Sequence, residues 1–266
     1  MIRNHILAGS WYPAAAREIN GELKEYIKVD EEPAKAIGVV APHAGWRYSG
    51  GVAGKVFGSV RIPDSVVVIS PNHRGVGNRK AVWDKGAWTI PGATIPVDEE
   101  LSAGLVEHAG LVSDTFAHQH EHSLEILLPF LFYRNPAVSI APVCLEPLPP
   151  SDLKVIGEGI ARAIKETGKD ILIVASSDMS HFISAAQAKK LDGMAIEKME
   201  SLDPEGLQRT VRENNITMCG VIPAAVMLYA ALELGAKESK LIAYATSADV
   251  TGDTAEVVAY AGIVVK

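Results

Sequence analysis

Short uncharged apolar runs alternate with amphipathic stretches along most of the chain. Ala36–Ala41, Ser65–Ser70, Ser139–Leu145 and Ile171–Ser176 carry no charge; the first ends at Pro42, and the second is bounded by Pro63-Asp64 and Pro71-Asn72. Such runs predict strands buried on both faces. Between them the apolar spacing becomes helical. Leu153, Ile156, Ile160 and Ile164 recur at intervals of three and four, and Ser151 is placed to cap that helix. Asp98 is placed in the same way before a helix running through His108. A small-residue helix is expected over Ser49–Val60, a buried one over Ser123–Tyr133, and others at 185–200, 204–214 and 220–234. Trp83 and Trp88 mark a strand or hairpin, and Lys240–Thr246 and Glu256–Val265 read as closing strands. This order predicts one α/β domain over residues 1–266, with a mainly parallel central sheet and helices on both faces.

Composition narrows the function classes. The 266 residues are 48% hydrophobic and 21% charged, as in a folded globular chain, and the formal charge is -7. That balance argues against a nucleic-acid partner. Two cysteines, Cys144 and Cys219, make no disulfide scaffold and suit a reducing cytoplasm. Met1–Pro13 reads as neither a signal peptide nor an anchor. The uncharged run Ile126–Tyr133 falls far short of the roughly 20 residues that span a bilayer, so no membrane association is expected.

The candidate chemistry is positional. His43 follows the first predicted strand, His73 the second, and Asp178 and His181 a third. Open α/β sheets bind ligands at the carboxyl ends of their strands, so these loops converge on one edge. Rigid strands below and polar side chains above suit a metal or acid/base site. His122 is expected to open a helix and to face that edge, whereas His118 and His120 read as solvated loop histidines. Cys219 precedes a helix whose dipole lowers a thiol pKa, which favours a metal ligand or nucleophile. Cys144 lies in an apolar strand and is expected only to pack. Trp11, Trp46 and Tyr48 are candidates to line a cleft. The chain has no Gly-x-Ser-x-Gly elbow, phosphate loop, dinucleotide fingerprint or CxxC pair.

Six segments in order resemble the Memo-like proteins. They are Gly9-Ser10-Trp11-Tyr12-Pro13, Ala41-Pro42-His43-Ala44-Gly45 with Tyr48-Ser49-Gly50, Pro71-Asn72-His73, Glu121-His122-Ser123-Leu124-Glu125, Ser176-Ser177-Asp178-Met179-Ser180-His181, and Cys219-Gly220. The resemblance implies a fold similar to class III extradiol ring-cleavage dioxygenases, non-haem iron enzymes with two histidines and a carboxylate on Fe(II). Carried over by motif, His43, His73 and Cys219 look like metal ligands, with iron or copper expected and zinc as an alternative. Asp178, His181 and His122 look like acid/base groups around them. A thiolate in place of the carboxylate departs from the dioxygenase pattern and weakens the expectation of ring opening. The implied function is a metal-dependent redox protein, with a non-catalytic binding module as the alternative. The implied partners are a small molecule or peptide in the cleft and radical S-adenosylmethionine proteins.

Overall fold

In the computed structural model, which describes residues 1–266, the four uncharged runs become four neighbouring parallel strands. The chain begins β1 (Ile2–Arg3), α1 (Ala16–Tyr26), β2 (Gly38–Ala41), α2 (Trp46–Ser59), β3 (Ser65–Pro71), β4 (Lys80–Val82), β5 (Ala87–Ile90) and β6 (Ala93–Pro96). It continues through α3 (Glu99–Ala109), β7 (Val112–Ser113), α4 (Phe116–Gln119), a 3-10 turn at Glu125–Leu127, α5 (Leu128–Arg134), β8 (Ser139–Leu145) and α6 (Pro150–Thr167). The last part holds β9 (Ile171–Ser176), β10 (His181–Ile183), α7 (Ala185–Glu200), α8 (Pro204–Glu213), α9 (Val221–Glu233), β11 (Ser239–Thr246), α10 (Ala248–Thr251) and β12 (Val257–Val265).

The large sheet has nine strands in the order β10-β12-β2-β9-β3-β8-β4-β7, with β11 also on β12. It is mixed, where the sequence predicts a mainly parallel one. The block β2-β9-β3-β8 is parallel, but β4 opposes β8, and β12 opposes β2, β10 and β11. Connections explain the departure. Only the four-residue α10 stands between β11 and β12, and no helix stands between β3 and β4. A parallel neighbour needs a crossover of a dozen residues or more, so the short returns reverse the chain: β12 pairs antiparallel with β11, and β4 runs against β8, the parallel neighbour of β3. The tryptophan region supplies β4 and a separate β5-β6 hairpin, which β1 joins in parallel.

Alternate side chains of each strand enter different layers. Val67 and Ile69 pack with α3, α6 and α9, while Val66 and Val68 pack on the side of α1, α2 and α5. Helix α2 starts at Trp46, earlier than the apolar spacing alone suggests. Its Gly54 and Gly58 meet the backbone of Tyr26 and Lys28, where any Cβ would collide. Asp98 caps α3 as expected, accepting a hydrogen bond from the Leu101 amide at 3.0 Å. Ser151 is not a cap. Pro150 opens α6, and the Ser151 hydroxyl turns to Asp152. A proline fits the first helical position because its missing N–H has no partner there. The predicted helix over Ser123–Tyr133 is divided into the 3-10 turn and α5, with Pro129 at the start of α5.

Candidate metal centre at the carboxyl edge of the sheet

The loops leaving β2, β3 and β9 bring His43, His73, Asp178 and His181 around one cleft of about 450 Å³, with His122, Trp11 and Tyr48 on its walls. His43, His73 and His122 each offer a ring nitrogen, and these three atoms lie within 4.8 Å of one another. The rings of His73 and His122 stack with centroids 4.5 Å apart, and His43 meets both edge-on. His122 sits in the turn ahead of the 3-10 segment, not at a helix start.

The hydrogen bonds fix which nitrogen faces the cleft. Ser176 donates its hydroxyl proton to the Ser123 carbonyl at 2.6 Å, so its oxygen accepts from His43 Nδ1 at 2.8 Å. Glu121 accepts from His73 Nδ1 at 2.9 Å and lies 3.3 Å from His122 Nδ1. His181 Nδ1 donates to the Thr217 carbonyl at 2.9 Å. His43, His73 and His181 therefore have Nδ1 engaged and Nε2 left to offer. Burial holds His43 well below the ordinary histidine range and lowers His122 to about 4, so both imidazoles are neutral at neutral pH.

Glu121 is the residue whose role the sequence reading missed. It is buried, yet it also accepts from the amides of His73, His122 and Ser123 and from the Ser123 hydroxyl. Despite its burial, bonds from His73 and the nearby histidines hold it well below the usual carboxylate range. Its loop is pinned by Arg3, which pairs with Glu125 at 2.6 Å and donates to the carbonyls of His118 and Glu121. Glu125 in turn accepts from the amides of Ile6 and Leu7 and from Tyr12. The only sequence signal was a carboxylate directly before a candidate histidine.

Cys219 lies beside His43, with Sγ 3.3 Å from His43 Nε2, outside the group of three histidines whose ligand atoms lie within 4.8 Å of one another. It accepts from the Asp178 amide at 3.3 Å. The expected lowering of its pKa is not found. Burial, and then the adjacent Asp178 carboxyl, push the thiol up, and these outweigh the helix that starts two residues later. Asp178 accepts from the His43 amide at 2.8 Å, and burial raises its carboxyl to about 7. Cys144 is fully buried, as expected.

Two further expectations are corrected. His118 is not solvated. It is fully buried against the edges of Trp83 and Trp88, with both ring nitrogens unpartnered, while His120 is exposed. Its place on α4 beneath the hairpin, reached only through tertiary packing, is what the local sequence hides. Trp46 does not line the histidine cleft. It is buried against Tyr12 and Phe130, and its indole donates to the Ile126 carbonyl at 3.1 Å.

The family model described as Memo-like protein matches residues 3–264. A MEMO1 family protein of Methanopyrus kandleri is 36% identical over 284 residues, covering 100% of this chain and 99% of its own. One from Aquifex aeolicus is 37% identical, covering 99% and 98%. Among solved structures, an uncharacterised protein of Escherichia coli K12 is similar in fold, with a TM-score of 0.52 and 15% identity. That likeness covers 84% of this chain and 98% of the other.

Proposed function

Because the chain belongs to the Memo-like family, we propose that it is a metal-dependent redox protein working through the histidine cleft. The observation that carries this reading is the convergence of three imidazoles whose ligand atoms lie within 4.8 Å of one another, with His43 and His73 each held by a hydrogen bond at Nδ1. Ligating histidines are held in this way by carboxylates, hydroxyls and carbonyls. His43 and His73 are the first two ligands in this proposal. His122 completes a three-nitrogen set, and the Cys219 thiol beside His43 is placed to join it. The donor set fits iron or copper, with zinc as the redox-inert alternative. Such a metal supplies one-electron and oxygen chemistry when bound.

The chain's own groups divide the remaining work. The Ser176 hydroxyl and the Glu121 carboxylate keep the imidazole protons on Nδ1. Asp178, with its carboxyl near neutrality, gives up or takes a proton at Oδ2, which lies 3.9 Å from His43 Nε2. His181 accepts a proton at Nε2 from a molecule in the cleft. Trp11, whose ring centroid is 4.7 Å from that of His122, shields one side from water. The likeness to class III extradiol dioxygenases belongs to this proposal, supported by histidines at strand ends beside Asp178. Efficient ring opening of simple catechols is not part of it, because Cys219 stands where those enzymes carry a carboxylate ligand. A radical S-adenosylmethionine partner is carried only by the family resemblance, and a cytoplasmic setting only by the two free cysteines.

A second reading, a binding module without turnover, is favoured by the exposed faces of Trp11 and Tyr48 at the cleft. Anaerobic loading with Fe(II) or Cu(I), followed by oxygen, separates the two. The redox reading predicts oxygen consumption and a paramagnetic signal from the oxidised iron or copper, both lost in His43→Ala. Metal that binds but stays reduced in air supports the binding module.

A further inference from the structure

A second cavity of about 440 Å³ adjoins the histidine cleft and shares Ala44, Tyr48 and Val258 with it. Its other walls are Phe182, Tyr260 and the 247–256 segment, including Asp253 and Glu256. The two cavities together make a groove that runs from the histidines past Tyr48 to an acidic end.

Phe182 stands outside the pairing of β10 with β12, its ring 5.9 Å from that of His181. His181 and Ile183 pair with Val258 and Val257, and the register slips between them, so Phe182 is the extra residue of a bulge. Its backbone is left-handed, with φ 57°, and the residue is 73% exposed. A bulky residue in that conformation is strained, and an exposed ring returns nothing to the core. Bulges near functional sites re-aim side chains, and this one directs a ring into the groove next to His181. Tyr48, 37% exposed, is the other aromatic wall.

Charge sets the far end. Residues 247–256 include Asp249, Asp253 and Glu256 and no basic residue. Asp249 is occupied by the Thr246 amide, and one oxygen of Asp253 by the Ala255 amide. Glu256 and the second Asp253 oxygen have no partner, and neither residue is in an ion pair. Arg47 lies over the Tyr48 ring at 5.8 Å but lines a different cavity, beside Trp11 and Glu18.

We infer that the groove binds a small molecule carrying an aromatic ring and an ammonium group. The ring lies between Tyr48 and Phe182, and the ammonium reaches Asp253 and Glu256. This rests on the reading of the histidine cleft as the reaction centre, because the groove leads the molecule's other end there. Aromatic walls favour a flat ring and also attract a cation, while the carboxylates reject an anionic analogue.

The test is calorimetric titration of the full chain with 2-phenylethylammonium and with 3-phenylpropionate in the presence of a chelator, and with the ammonium again after Zn(II), because the propionate carboxylate would itself ligate zinc. The ammonium is expected to bind saturably in both states, with the propionate weaker by about tenfold or more. Phe182→Ala and the double variant Asp253→Asn/Glu256→Gln should each weaken the ammonium by about three- to tenfold. Phe182→Gly, which relieves the strained backbone, should show the same loss with a melting temperature no lower than that of the wild type. Equal binding of the two probes, no saturable binding of the ammonium, or indifference to all three variants overturns the inference. Ammonium binding that obeys these variants in a protein unable to take up metal would instead leave the groove standing and remove the metal centre.

Discussion

The two ends of the central sheet carry clefts that invite comparison. At the amino ends of β3, β8 and β9, a cleft of about 600 Å³ is lined by Arg61, Asp64, Ser65, Asp98, Lys169 and Asp170. At the carboxyl ends the histidine cleft is smaller, about 450 Å³. The larger one is electrostatically complete. Lys169 pairs with Asp98 at 3.1 Å and Glu100 at 2.7 Å, Arg61 pairs with Asp170 at 2.8 Å, and Ser65 donates to Asp98 at 2.6 Å. In the smaller one burial keeps His43 and His122 neutral, and the Nε2 atoms of His43 and His73 have no strong donor. Volume therefore says less about a ligand site than the balance of donors and acceptors within it.

The largest effect should come from the ligands. His73→Ala is expected to weaken metal binding by more than about 100-fold, beyond the loss from an outer partner, while the metal-free variant melts near wild type. Competition with a chromogenic chelator measures the first, and circular dichroism the second. Glu121→Gln should cost roughly 10–100-fold in metal affinity by freeing two imidazoles to rotate. An unchanged affinity would mean that the carboxylate does not orient the site.

Smaller effects separate a buried histidine from the histidines of the cleft. His118 is lowered to about 3 by burial and then by Arg3, against 6.5 for a free histidine. The unfolded chain therefore binds the extra proton between those values. Stability should be intact above about pH 6.5 and fall as pH drops toward 3. His118→Phe should remove that loss, gaining on the order of 2 kcal/mol at about pH 4.5 in urea titrations and little at pH 7. At the other end of the sheet, Lys169→Met should cost no more than about 1 kcal/mol, because its ion pairs are partly exposed. It should leave metal affinity untouched, and a change there would break the contrast between the two ends.

Much of this was legible in the sequence because the relevant signals are local. The uncharged runs placed β3, β8 and β9 to within a residue, and the convergence of His43, His73, Asp178 and His181 follows from strand ends alone. What was not legible depends on packing between distant segments. The antiparallel β12, the burial of His118 under Trp83 and Trp88, and the raised thiol of Cys219 beside Asp178 are set by tertiary neighbours. So is Glu121, whose position rests on Arg3 and Glu125, more than a hundred residues apart. His122 was recognised as facing the edge, but its closeness to both other histidines needed the turn that the structure provides.

The most direct measurement is the metal content of the untagged chain after equilibrium dialysis against Fe(II), Cu(I) or Zn(II), beside the triple variant His43→Ala/His73→Ala/His122→Ala. The account predicts about one ion per chain, absent from the triple variant, with X-ray absorption showing imidazole nitrogens around it. A chain that takes up none of the three metals, or a triple variant that binds as well as wild type, would contradict it.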